Sequence, residues 1–160
     1  MLSVTSSRFG EISYSEEDVL VFPRGIPAFE KHYNWLLAGE EDNAIKWLQN
    51  IEDSDLALPV TTPDAVMPDY NAKIPEDELD LVGSKDFADL ALLIVVSIPE
   101  AAPWDMTANL RAPILVNLKS RKAVQVIALN EEYPIRHVVF PENVREAMKI
   151  SHMAEGEGTP

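Results

Sequence analysis

Residues 114–127 read Ile-Leu-Val-Asn-Leu-Lys-Ser-Arg-Lys-Ala-Val-Gln-Val-Ile, and this stretch decides the fold. Ile114, Leu115 and Val116, then Val124, Val126 and Ile127, form two aliphatic and β-branched runs of strand length. Between them Asn117-Leu118-Lys119-Ser120-Arg121 supplies a polar turn. The reading is an antiparallel hairpin. Its lead-in, Thr107-Ala108-Asn109-Leu110, suits neither a strand nor a helix, and a plain hairpin has no need of it.

The same punctuation repeats outward along the chain. Arg8 to Tyr14 alternates with period two and reads as a strand, as do Val19–Phe22, His32–Leu37, Ile45–Ile51 and Leu56–Thr61. Pro59 inside the last of these predicts an edge or a bulge, because proline donates no ladder hydrogen bond. Thr62 to Tyr70 reads as a loop, and Asn71 to Ile74 as a short strand at most. Pro75 to Gly83 has proline first, acids in the first turn and glycine last, which are helix start and stop signals. Leu90 to Ile98 is the most apolar run and reads as the central strand. The expected core is Leu92, Ile94, Val96, Ile114, Val116, Val124 and Val126. Val144, Met148 and Ile150 in the segment ending at Met153 have helical spacing. Ala154 to Pro160 is glycine-rich and acidic and reads as a flexible tail. Eight or nine short strands with one or two short helices give a mainly β domain, with helix at or below ~15% against ~30–35% in average domains. A barrel and a folded sandwich both fit this pattern.

Composition narrows the function. The chain has 160 residues, enough for one domain with a sizeable core. It has no cysteine, which excludes disulfides and thiolate metal sites and suits a reducing cytoplasm. Neither a signal-peptide pattern nor an apolar run of membrane-spanning length is evident. Net charge is −14, unevenly spread. Residues 40–105 carry 16 acids and 3 bases, whereas residues 106–153 carry 4 acids and 7 bases. So acidic a chain is repelled by phosphate backbones, so direct nucleic-acid binding is not expected and basic protein partners are. The bland alternative is that the acids only keep the domain soluble.

Catalytic chemistry finds little footing. His32, His137 and His152 have no spacing that would ligate a metal. Glu52, Asp53 and Asp55 lack the glycine and terminal glutamate of a calcium loop. No glycine-rich nucleotide loop occurs, and Pro23-Arg24-Gly25-Ile26-Pro27 lacks the N–H groups that cradle phosphate. Neither an enzyme nor a cofactor is expected. Apolar and aromatic residues in turns are instead candidates for recognition: Ile26, Phe29, Pro68 and Tyr70. The alternative is that Phe29 and Tyr70 plug the ends of the barrel, as most aromatics are core or half-core. Thr107, Asn109 and Arg111 are candidate polar contacts, although Asn109 can instead tie its own loop. Arg136 either meets a partner or pairs with an internal acid.

Five ordered pieces carry a resemblance. They are Phe22-Pro23-Arg24-Gly25-Ile26-Pro27-Ala28-Phe29-Glu30, Trp47-Leu48-Gln49-Asn50-Ile51-Glu52-Asp53, Pro68-Asp69-Tyr70, the block from Met106 to Leu129, and Tyr133-Pro134-Ile135-Arg136-His137. In this order, over residues 8 to 140, the chain resembles the FliW family of bacterial flagellar assembly factors. It departs at Ala28, where the family usually has glycine, and at Ala123, where glycine is expected after the turn. The resemblance implies a single compact antiparallel β-barrel-like domain over residues 1–140, followed by a possible C-terminal helix over 141–153 and the tail over 154–160. It implies a cytoplasmic protein that binds the RNA-binding translational repressor CsrA and is titrated away by flagellin, coupling flagellin synthesis to export. It further implies that the repressor is bound beside its RNA site, not in it. A flagellin-specific export chaperone without a translational role is the alternative.

Overall fold

The computed structural model describes residues 2–84 and 86–157, the last three by backbone alone. The most apolar stretch does become the hub. β7 (Leu90–Ser97) is eight residues long and antiparallel to three neighbours. Its first half pairs with β9 (Ile114–Asn117), with Leu92 opposite Leu115. Ile94 and Val95 pair with β6 (Ala57–Thr61). Val96 and Ser97 pair with β8 (Thr107–Ala108). The deciding hairpin forms as read: β9 and β10 (Ala123–Gln125) are antiparallel, with Val124 opposite Leu115. Asn117 holds the turn between them, its Oδ1 accepting the Lys119 and Ser120 N–H groups at 2.9 and 3.1 Å.

The sheet continues from β6 through β5 (Lys46–Asn50) and β4 (Asn34–Ala38) to β3 (Leu20–Val21). Its two ends, β3 and β10, meet in one isolated parallel bridge, Val21 to Lys122. There the Val21 N–H donates to Arg121 O at 2.8 Å. No closed barrel is found among the described residues. β3 is only two residues long, Pro23 offers no N–H to extend it, and Arg121 turns away at φ 64°. The expected mainly β, antiparallel domain is borne out, with its sheet ends joined only by that bridge. Pro59 lies in the interior strand β6, opposite Trp47 of β5, but β7 pairs only with Val60 and Thr61. The missing donor is thus tolerated because that side is unpaired at Pro59.

Three clusters form the core. One gathers Phe22, Trp35, Leu48, Val60 and Ile114, a second Val82, Leu115, Val124 and Val126, a third Ile94, Val96, Met106, Ala108 and Leu110. Six of the seven expected core residues are buried; Leu92 is half-buried at the margin of the second cluster.

Local corrections have local causes. β1 (Leu2–Ser6) was not anticipated and pairs with β2 (Gly10–Tyr14) as a separate two-stranded sheet. Ser6 Oγ donates to the fully buried Gln49 Oε1 at 2.7 Å, and the Arg8 guanidinium lies 3.6 Å over the Trp47 ring, tying the hairpin to β5. The expected loop after Thr62 contains one helical turn, α1 (Pro63–Val66), started by proline. α2 (Glu76–Val82) ends as read, with Gly83 left-handed at φ 80°. Asn71–Ile74 is not a strand; Asn130 holds it, accepting from Lys73 N–H and donating to Asn71 O. β11 (His137–Val138) pairs with β8, and then α3 spans Glu142–Glu157. The helix runs past Met153 through Ala154 and Glu155, both good helix formers. With α3 this long, helix reaches about a sixth of the chain and exceeds the expected share. Gly158 to Pro160, the end of the expected tail, lie outside the described residues.

The loop from Phe22 to Glu30 contains two left-handed residues, Gly25 at φ 66° and Ala28 at φ 79°. A Cβ on Gly25 would stand 2.6 Å from the Glu30 backbone. Ala28 bears a cost that a glycine there would avoid, roughly 1–2 kcal/mol. Ala28→Gly therefore raises stability by ~0.5–1 kcal/mol after the added chain entropy is subtracted. Gly25→Ala lowers it by about 2–5 kcal/mol through strain and overlap. Urea melts of the two variants check this; shifts of the same sign contradict the loop geometry. Ala123, the other departure, lies in β10, fully buried, and its backbone is not left-handed.

Candidate partner-binding surface

β8 is the strand to which the odd lead-in belongs. It sits between β7 and β11, with Thr107 opposite both Ser97 and Val138. Its short length releases Asn109 immediately, and the Asn109 N–H donates to Val95 O at 2.9 Å. A groove of about 430 Å³ opens at this edge, lined among others by Ser97, Asp105, Thr107, Asn109, Ile135 and Arg136. Three of the eight sequence-predicted residues, Thr107, Asn109 and Arg136, thus come together.

The groove is rich in donors. Asn109 Oδ1 accepts the Ala112 N–H at 3.0 Å, which fixes the amide and leaves its Nδ2 without a hydrogen bond among the described residues. Arg136 is exposed and has no ion pair among them, so the internal pairing considered for it is absent. Asp105 is the groove's one carboxylate, and Arg145 of α3 binds it at 2.5 Å. That hydrogen bond and charge raise the Arg145 pKa above its already high value.

The other five predicted residues lie elsewhere. Ile26 is buried in the first core cluster and Phe29 packs half-buried against it, edge-on to His32. For Ile26 the expected display in a turn is corrected: the isolated Ile26–Phe29 bridge folds the loop back over the core. Tyr70 stacks on Tyr133 at 5.0 Å and donates from its hydroxyl to Leu110 O at 2.8 Å. Burial pushes its pKa up, with Tyr133 adding to the shift, so the phenol stays a donor at neutral pH. Tyr70 thus plugs the wall behind the groove, against the cluster of Val96, Ala108 and Leu110. Pro68 is exposed nearby in sequence. Arg111 clips the far end of the hairpin, Nε donating to Ala128 O at 3.2 Å.

Other surface features escaped the sequence reading. Ile127, Leu129 and Ile135 are each more than 60% exposed. Alternation in residues 123–129 carried the signal for the first two, since Val126 and Ala128 point inward. A second cleft, of about 570 Å³, separates α3 from the 3₁₀ turn Pro103–Asp105, with Trp104 and His152 rings 5.3 Å apart. No grouping of three His, Asp or Glu side chains able to hold a metal occurs among the described residues, and no helix there is long and apolar enough to cross a membrane.

The comparisons with known proteins agree with one another. The FliW protein family model matches residues 3–139. The flagellar assembly factor FliW of Caldanaerobacter subterraneus subsp. tengcongensis is 40% identical over 143 residues, covering 88% of this chain and 95% of that one. That of Thermotoga neapolitana is 37% identical over 143 residues, covering 89% and 96%. A crystal structure of the flagellar assembly factor FliW superposes with a TM-score of 0.81 at 30% identity, covering 88% of this chain and 99% of that chain. A match through nearly the whole sheet, from β1 to β11, together with this fold, means that the chain belongs to the FliW family of flagellar assembly factors.

Proposed function

We propose that this chain couples flagellin synthesis to flagellar export by antagonising a CsrA-type RNA-binding repressor, and that flagellin sequesters it. The observation that supports this reading best is the division of charge. Residues 40–105 carry most of the acids, whereas Thr107, Asn109 and Arg136, on one side of the groove, belong to the stretch 106–153, in which bases outnumber acids. A partner held at the groove sits beside a strongly negative body. That body lowers the positive potential on which RNA phosphates depend. Membership in a family of assembly factors, and not any missing pocket, supports a non-enzymatic role. Function in the cytoplasm follows from where translation is regulated.

The exposed apolar side chains Ile127, Leu129 and Ile135 favour a second reading, a flagellin-specific export chaperone. Gel filtration separates the two. The protein is expected to co-elute with a CsrA-type dimer, and added flagellin is expected to release the dimer. Co-elution with flagellin alone, under conditions where the dimer binds its RNA, refutes the antagonist reading and leaves the chaperone.

A further inference from the structure

The groove at β8 sets polar side chains beside the exposed Ile135. We infer that it receives a single carboxylate set beside an apolar side chain, presented by a partner segment of little other charge. This rests on the reading of the groove as the partner-binding surface and names the chemistry that surface recognises.

Three observations carry the inference. First, donors converge in the groove: the Arg136 guanidinium, with its planar fork of N–H groups, the Asn109 Nδ2 amide, and the Thr107 and Ser97 hydroxyls, which can also accept. A guanidinium fork matches a carboxylate in a two-point contact. Second, the groove's own acid is already engaged. Arg145 holds Asp105 from the α3 side, so Asp105 is occupied by another cation. Arg136, unlike Arg24 and Arg145, has no acid paired to it among the described residues. Third, Val95, Pro99 and Ile135 line the same groove, and Ile135 is 64% exposed. They provide an apolar floor next to the donors. The whole-molecule charge sets the limit on the ligand, because a segment with many acids is repelled by the body before it reaches Arg136.

The probe is N-acetyl-leucine, which offers one carboxylate beside one apolar side chain. N-acetyl-leucinamide, of the same shape without the charge, is the control. Both are titrated into the full-length 15N-labelled protein while amide and Arg Nε shifts are followed. The acid is expected to move Thr107, Asn109 and Arg136 with a saturable, millimolar dissociation constant, as suits so small a ligand. The amide is expected to bind at least about tenfold more weakly, the loss of one charge-assisted contact. Arg136→Gln, at an exposed position, should erase the difference between acid and amide without changing the melting temperature. Equal shifts from both probes, saturable binding that ignores Arg136→Gln, or no saturable shift at the groove overturns the carboxylate assignment. The parent reading fails differently. If an added CsrA-type dimer shifts residues far from β8 and leaves Thr107, Asn109 and Arg136 unmoved, the groove is not the partner surface, whatever the small probes do.

Discussion

Ile94→Asp unfolds the domain at room temperature. Ile94 is fully buried at the middle of β7, opposite Thr61 of β6, and packs with Val96, Met106, Ala108 and Leu110. An unpaired carboxylate there costs several kcal/mol, in addition to the lost packing. Total stability for a domain is only ~5–15 kcal/mol. The conservative Ile94→Val costs about 0.5–1.5 kcal/mol and keeps the fold. Circular dichroism distinguishes the pair. An Asp variant that melts like the parent removes β7 from the centre of the sheet.

Trp35→Ala is the second large loss, about 3–5 kcal/mol. Trp35 is fully buried in β4, its ring lies 6.2 Å edge-on from Phe22, and its Nε1–H donates to His32 O at 3.0 Å. It supports the Phe22–Glu30 loop from below, since both Ile26 and Phe29 belong to its cluster or pack on it. Truncation leaves a cavity under the loop and an unpaired His32 carbonyl. Urea denaturation measures the loss. A change below about 1 kcal/mol contradicts the placement of the first cluster as the main support of the loop.

How much of this was legible in sequence depends on how local each signal was. The β9–β10 hairpin, β7 and α2 announced themselves through short-range features: aliphatic runs, a polar turn, and a proline-to-glycine frame. Tertiary context made the rest. β8 and β11 are two residues each and exist because they pair across the edge of β7, so neither has a periodicity to read. The lead-in at Thr107 looked idle as a strand and proved to be the wall of the groove. The sheet ends join through a single bridge for a similarly local reason, a two-residue β3 meeting a left-handed Arg121. Ile26 reads as displayed because it sits in a proline-flanked turn, whereas Tyr70 reads either as displayed or as a plug. Their long-range contacts, with Trp35's cluster and with Leu110, drew them inward instead. Arg136 stayed in solvent because β11 presents it at an edge with no acid paired to it. The departure at Ala28 was visible as a missing glycine, and the structure gives it a φ angle.

We propose that charge, delivered by a docked acidic body, silences the repressor. Glu40, Glu41 and Asp42 lie exposed in the β4–β5 turn, and Glu76 and Asp77 are exposed at the start of α2. Screening shortens the reach of such charges from ~30 Å at 0.01 M salt to ~8 Å at physiological ionic strength. The decisive measurement is RNA binding by a CsrA-type dimer in the presence of this protein, with these five acids changed to Gln or Asn, across that salt range. The account predicts that the neutralised variant still binds the repressor, that RNA now joins it in a ternary complex, and that parental inhibition weakens as salt rises. A neutralised variant that binds the repressor and still expels RNA completely at every salt concentration contradicts it.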